Sequence, residues 1–450
     1  MPELLGADDI REIAGTALEL PGADAIEVLV IHEWIGLTRF AESAIHQSTS
    51  REDTGLRVRA VSGGRVGVAA TNDLSKDGAA NAARSALELA LVAAPDPLFP
   101  GVTPSTEVPD RSDGYDEATA SATPDQRAEA VAELIGRCDD GFHAAGAFET
   151  QATEVLVANT EGHVCYAPST QAQMTTVISG GDGGTGFAEV TAPRISAVDA
   201  SAVGGRAFAK AKDSQDRRSL EPGHYEVVLE PAAVATLLGF LAYLGFGGRS
   251  IAEGRSCFSG RIGEKLMSER VSIYDDGLSP HTIALPFDFE GTPKRRVDLV
   301  ERGEVRGGVH DRRSAKQAGT ESTGHGLPPP NPEGPFPLNL FLEPGDASLD
   351  EMIGATQRGL LVTRFHYSNV VHPKESVITG MTRDGTWLIE DGELRHPVKN
   401  FRFTQSIIEA LRDVEQVGRD TELASEFFFS SSRVPALRIS SFQFTGKSDH

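Results

Sequence analysis

Cysteine is scarce in this sequence. Its three thiols, Cys138, Cys165 and Cys257, are odd in number, far apart and without a Cys-x-x-Cys pair. That excludes a disulfide framework and a zinc ribbon. No apolar run reaches about eighteen residues, so no membrane-spanning helix is expected. The opening residues MPELLGADDIREIAG have neither a basic n-region nor an apolar h-region. No secretory signal is expected, and the cytoplasm is the expected compartment. Basic charge is also in short supply: 42 lysines and arginines face 65 acids, for a net charge of −23. A surface this acidic repels phosphate backbones and anionic lipid, so neither nucleic acid nor a membrane is an expected partner. One basic cluster, TPKRRVDLVERGEVRGG, is short, interleaved with acids, and reads as a solvated strand pair.

At 450 residues, 39% of them hydrophobic, the chain is long enough for two or three domains with packed cores. DDIREIAGTALELPGA has helical apolar spacing with Asp at its start, and strands are expected at 25–31 and 35–40. DTGLRVRAVSGGRVGVAATND predicts two short strands around a glycine turn. An Ala-rich helix follows in DGAANAARSALELALVAA, closed by PDPLFPG. TPDQRAEAVAELIGRCDDG predicts a helix capped by Thr123, with Pro124 in its first turn and Gly141 beyond its end. Strands return over FETQATEVLVANTEGHVCYAPSTQAQMTTVISG, and SAVDASAVGGRAFAKAKDSQD predicts a further helix. The polar stretch SQDRRSLEPGH marks a boundary. Beyond it, AAVATLLGFLAYLGFG is a strongly apolar helix and TQSIIEALRDVEQVG is the one clear late helix; short strands and turns fill the rest. The Pro-dense segment 326–339 cannot be a central strand or helix. The expected architecture is α+β: an N-terminal mixed α/β domain over 1–212, a linker over 213–223, and a larger β-rich C-terminal domain with few helices over 224–450.

The stretch IHEWIGLTRFAESAIH opens like the zinc-peptidase signature H-E-x-x-H. Its spacing fails, because the residue four on from His32 is Gly36 and the next histidine is His46. β-branched and aromatic content makes the segment a strand, where His32 and Glu33 point to opposite faces. GGDGGTG (180–186) lacks the Lys-Ser/Thr of a P-loop and the spacing of a dinucleotide-binding turn, and is expected as a mobile loop between strand and helix. Asp288 and Glu290 lie two apart on a strand-like segment and share a face. Such a pair serves acid–base chemistry or holds a cation. It equally caps a turn and pairs with Lys294, Arg295 or Arg296, which is the commoner case. The histidines of the second half, His281, His310, His325, His366, His372 and His396, show no ligand spacing. His366 and His372 face one side if extended, but a metal needs a third partner that the sequence does not place. There is no G-x-S-x-G elbow.

Three long stretches go further. They are RVRAVSGGRVGVAATNDLSKDGAANAARSALELA; CFSGRIGEKLMSERVSIYDDG with PFDFEGTPKRRVDLVERGEVRGGVHDRRSAKQAG; and GTWLIEDGELRHPVKNFRFTQSIIEALRDVEQVGRD. In this order, over nearly the whole chain, the sequence resembles the TldD/PmbA family of bacterial and archaeal peptidases. That family works as two related subunits. The TldD type carries H-E-x-x-x-H on an apolar helix, with a cysteine near the C-terminus as third ligand, and the TldE (PmbA) type lacks them. At the matching helix this chain has Gly239, Phe240, Leu241, Ala242, Tyr243 and Leu244, none of which binds zinc, and ASEFFFSSSRVPALRIS has no cysteine where Cys-Gly-Lys would fall.

The resemblance therefore implies a TldE-like subunit with no cofactor of its own and with zinc in a TldD-like partner. Together they would form a protease channel for unfolded or small peptides, peptide-antibiotic precursors and antitoxins among them. Asp288, Glu290, Arg295, Arg296, His366 and His372 are the candidate channel residues. Two other readings stay open. One is a stand-alone peptidase with a relocated metal on His366, His372, Asp288 and Glu290. The other is a non-catalytic, peptide-binding homodimer.

Overall fold

The computed structural model describes residues 4–139, 141–425 and 430–448. Its first half is a six-stranded antiparallel sheet in the order β3-β2-β1-β4-β5-β6. The strands are β1 (Ala25–Ala41), β2 (Ala44–Ser62), β3 (Arg65–Thr71), β4 (Phe142–Asn159), β5 (Val164–Gly180) and β6 (Gly184–Ala192). Period-two alternation gives the sheet two different faces. Even-numbered Ile26, Val28, Val30, Leu56, Val58 and Ala60 pack beneath α1 (Ala7–Leu18) and α2 (Lys76–Val92). Phe40, Phe148, Ala172 and Met174 continue that face beneath three more helices, α3 (Glu117–Ala120), α4 (Pro124–Ile135) and α5 (Ala200–Asp213). The predicted cap at Thr123 forms, accepting the third helical N–H while Gln126 closes a capping box, and α4 ends at Ile135 with Gly136 at its C-cap, before Gly141; at α2, Ser75 accepts the third helical N–H in the same way. α2 rides close on the sheet through its alanines, and at Gly67 a Cβ would stand 2.1 Å from the Ala86 carbonyl oxygen. The odd-numbered face turns the other way. Its Leu29, Val155, Val157 and Cys165 pack on Phe287, Phe289 and Leu338 of the second half.

The second half is built on an eleven-stranded mixed sheet. Its strands are β7 (Gly223–Leu229), β8 (Ile273–Asp275), β9 (Val297–Glu301), β10 (Glu304–Val305), β11 (Asn339–Leu342), β12 (Arg358–His372), β13 (Val377–Glu390), β14 (Glu393–Pro397), β15 (Phe401–Ser406), β16 (Val414–Ala424) and β17 (Ser431–Lys447). β12, β13, β15 and β17 pair antiparallel in succession. β7 then pairs parallel with β12 and antiparallel with β17, so five strands close on themselves. The interior is filled by phenylalanine: Phe365 lies 4.5 Å from Phe403 and 5.5 Å from Phe442, centroid to centroid. Outside this ring the apolar α6 (Pro231–Gly245) packs on β12, β16 and β17. Four short helices complete the fold: α7 (Gly248–Ala252), α8 (Arg312–Ala318), α9 (Leu349–Gly354) and α10 (Ile407–Arg412). Among the described residues no helix is long and apolar enough to cross a membrane.

The α+β expectation holds, and three local expectations are corrected. Residues 25–41 form one strand, not two, and Gly36 does not break it. Gly36 leaves room for the guanidinium of Arg127, which α4 lays across the sheet 2.4 Å from where a Cβ would stand. GGDGGTG is the turn of the β5–β6 hairpin, with Gly181 and Gly183 at positive φ, not a loop leading to a helix. The late helix shrinks to the six residues of α10, because its flanks become β15, which pairs with β13 in the ring, and β16, which pairs with β17. Tertiary pairing there overrides helical propensity.

Candidate functional site

α6 starts at Pro231, whose missing N–H is harmless in a first turn, and is apolar all round. Twelve of its fifteen residues are buried, as expected of a core helix. The exception at its C-terminal end is Tyr243, 55% exposed. Here the chain reverses tightly into α7. A Cβ on Gly248 would stand 2.3 Å from the ring of His310, so only glycine lets the backbone through. The reversal opens a cleft of about 690 Å³. Ala242, Tyr243 and Leu244 form one wall, the Pro-dense loop at Leu327 and Glu333–Phe336 a second, and Val370 with His372–Glu375 at the tip of β12 a third. Arg255, Glu333, Lys374 and Glu375 place charge of both signs at its edges.

β12 has a further property. It pairs with β13 over its whole length but with β7 only from Gly359 to Val362. From Arg364 to His372 its second edge pairs with no strand among the described residues, and this stretch borders the cleft. Tyr367, at φ 56, puts a bulge into this part of β12 and shifts its register between His366 and Asn369. The bulge re-phases the alternation. His372 consequently lines the cleft while His366 does not, so the expectation that both face one side fails. Burial and the neighbouring Arg383 and Arg364 hold the His366 imidazole below its ordinary pKa.

The other candidates lie elsewhere. Asp288 and Glu290 are on a tight turn rather than a strand, so they do not share a face. Asp288 is fully buried; Oδ1 accepts the N–H groups of Glu290 and Thr292, and Oδ2 accepts that of Gly326. The carboxylate is thus the organiser of the turn. Glu290 accepts from Arg59 Nη1 at 3.3 Å and from the Arg312 N–H at 3.0 Å. Arg295 is an exposed partner of Glu321, and Arg296 binds Asp298 while stacking 3.7 Å over the ring of Tyr274. None of these four lines the cleft. The opening His32 and Glu33 do point to opposite faces of β1. His32 bonds Thr54 on the helix side, and Glu33 accepts from Gln151 on the other.

Two buried ionic centres escaped the sequence. In the first, Asp275 Oδ1 accepts from His325 Nε2 at 2.8 Å, Oδ2 accepts the Asn339 N–H, and Lys294 Nζ stands 3.7 Å away. All three side chains are fully buried. The second joins the two halves of the molecule: Arg59 of β2 stands between Glu27 of β1 and Glu290. Glu27 is 1% exposed and 2.9 Å from Arg59 Nη1, yet neither of its oxygens has a hydrogen bond of acceptable geometry. Its one sequence signal is an acid inside the apolar run AIEVLVI.

Burial pushes the Glu27 carboxyl up to about 7, with Arg59 pulling against it. Between its ordinary 4.5 and about 7 the folded chain therefore binds a proton that the unfolded chain has lost. Stability contributed by this group falls as pH rises through that window and is level above it. Glu27→Gln is expected to flatten the fall by on the order of 1–3 kcal/mol and to match or exceed wild type at pH about 7.5. Melting temperatures at pH about 5 and 7.5 test this; parallel profiles for the two proteins would contradict it.

A zinc ion does not fit the α6 position, since Gly239, Phe240, Leu241, Ala242, Tyr243 and Leu244 present no imidazole, thiolate or carboxylate. Part of the C-terminal stretch ASEFFFSSSRVPALRIS, at 426–429, lies outside the described residues. Among the described residues no three His, Cys, Asp or Glu side chains are grouped to hold an ion.

Comparison with known proteins gives the following. The PmbA/TldA metallopeptidase C-terminal domain matches residues 222–446, and PmbA/TldA metallopeptidase domain 1 matches 27–90. A metalloprotease of Methanothermobacter thermautotrophicus is 28% identical over 251 residues, 54% of this chain and 53% of that one, so the chain spans about half the length of this relative. The metalloprotease PmbA of Escherichia coli O157:H7 is 24% identical over 456 residues, 96% of each chain. The crystal structure of TldE from Thermococcus kodakarensis superposes with a TM-score of 0.87 at 21% identity, covering 98% of this chain and 99% of that one, and so shares the fold.

Proposed function

The chain belongs to the PmbA/TldD metallopeptidase family, and from that premise we propose that it is a TldE-like subunit that holds extended peptide while a zinc-bearing TldD-like partner cleaves it. The reading is carried by the edge of β12 from Arg364 to His372, unpaired among the described residues, beside the 690 Å³ cleft. An extended peptide adds to such an edge as a further strand, and its main-chain N–H and C=O groups pair regardless of sequence. Side chains projecting alternately from the added strand then meet Tyr243 and Val370 on the cleft wall. That chemistry suits unfolded or small peptides, whose backbones are free, and not folded proteins. Residues 239–244 offer no metal ligand, and Ala242, Tyr243 and Leu244 among them supply only cleft wall, so peptide-bond cleavage is assigned to the partner.

The test uses the full chain, freed of metal by chelation, and a separately purified zinc-bearing relative of the TldD type. An unstructured peptide is expected to be hydrolysed only when both proteins are present, and the two are expected to co-elute. Hydrolysis at the full rate by the metal-stripped chain alone overturns the reading, as does close to one tightly held zinc per chain after purification without a tag.

A further inference from the structure

α4 carries one cation into the interior of the first half and leaves it without a counter-ion. Arg127 lies across the helix side of the six-stranded sheet and is fully buried. One end of its guanidinium is fixed: Nη1 donates to the Ala122 carbonyl at 2.9 Å and to Thr150 Oγ1 at 3.0 Å. The other edge is not. Nε and Nη2 are both buried, and neither has a hydrogen-bond acceptor. Among the described residues no acid pairs with Arg127. Arg59, Arg111 and Arg438, which are also little exposed, each pair with an acid. The ring of Trp34, 5.8 Å from the guanidinium carbon, is a small offset against the desolvation of a buried ion.

Arginine does not give up its proton in a protein, so the charge stays. A buried charge of this kind is costly and is normally paired. A neutral acceptor would satisfy the two N–H groups and leave the charge; an anion answers both. Nε and Nη2 form the side of the guanidinium that meets a carboxylate through two parallel hydrogen bonds. We propose that this edge of Arg127 binds a small carboxylate, one oxygen on each nitrogen. Full enclosure of the arginine suits a free short-chain acid and not the carboxylate of a polypeptide. Trp34 is half-buried, and Ser50, opposite Gly36 in the β1–β2 ladder, is exposed, so the site lies close beneath the surface. None of these residues lines the cleft, and the proposal is independent of the peptide-binding reading.

The experiment is titration of the full chain with sodium formate, followed by calorimetry and by melting temperature, with ionic strength held constant by sodium chloride. A ligand of three heavy atoms has little to bind with, so saturation of one site is expected between about 1 and 50 mM. The melting temperature is expected to rise by about 1–2 °C over its value in chloride alone. Benzoate, too large for an enclosed site, is expected not to bind; this comparison needs no variant. Arg127→Lys keeps a cation and loses the fork, and is expected to weaken formate by about tenfold or more. Arg127→Met removes the charge and is expected to abolish the formate effect on melting. Circular dichroism in chloride confirms that both variants fold. Absence of saturation, an equal effect of chloride, equal binding of benzoate, or unchanged formate affinity in Arg127→Lys overturns the proposal.

Discussion

Asp275→Ala is expected to lower the stability of the second half of the molecule by about 3–5 kcal/mol, the cost of removing one member of a buried ion pair. The carboxylate holds three groups at once: His325 Nε2, the Asn339 backbone N–H and the ammonium of Lys294. Its loss leaves Lys294 with the Asn339 side-chain oxygen at 3.4 Å and, among the described residues, no other ion-pair partner in a fully buried site. These attractions outweigh burial and hold the Asp275 carboxyl well below its ordinary 3.8. The sign is that of a depressed acid, with the stabilisation present above 3.8 and lost as pH falls below it. His325 adds an earlier loss. Burial and Lys294 keep its imidazole neutral, so below 6.5 the unfolded chain takes up a proton that the folded chain refuses. Urea unfolding followed by the signal of the second half measures both effects. A loss under about 1 kcal/mol would refute the assignment of this centre as a buried charge lock. The double variant Asp275→Ala, Lys294→Met is expected to recover part of the loss, because it removes the stranded charge.

Phe442→Ala should be as damaging, at about 3–5 kcal/mol, through a different mechanism. Phe442 is fully buried and touches the rings of Phe365, Phe403 and Phe444, with centroids 5.5, 5.5 and 5.3 Å away. These rings come from β12, β15 and β17, so truncation opens a cavity in the middle of a closed ring of strands that cannot collapse without breaking pairs. Phe442→Leu fills most of that volume and is expected to cost less than half as much. Equal losses for the two variants would mean that the ring relaxes around the gap. Because α6 packs on this ring, loosening it is also expected to weaken peptide binding in the adjoining cleft.

Much of the fold was legible in the sequence wherever the signal is local. Thr123, Pro124 and Gln126 start a helix because cap and first turn lie within four residues. The two glycines after Ser62 make a hairpin because only they take positive φ there without strain. The burial of α6 follows from an apolar surface all round. TQSIIEALRDVEQVG was misread because its helical spacing is real, yet its flanks lie in register with β13 and β17, and pairing with strands distant in sequence decides. The candidate site was legible only in part. Ala242, Tyr243 and Leu244, the end of the ligand-free stretch, mark one wall of the cleft, but the other walls come from Leu327 with 333–336 and from Val370 with 372–375, and no spacing rule connects them.

What the sequence by itself determined is the chemistry available. It specifies an acidic chain, no disulfide framework, an α+β order of elements, and an apolar helix with no zinc donors at 239–244. Composition and short-range pattern suffice for these, since each depends on residue type or on neighbours a few positions apart. Only the tertiary structure decided which charges are paired. Asp288 became the organiser of a turn because three N–H groups converge on it, and Glu27 and Arg59 meet Glu290 from more than 200 residues away. Electrostatic energy depends on distance and burial, and both are set by how the two sheets pack, not by position along the chain.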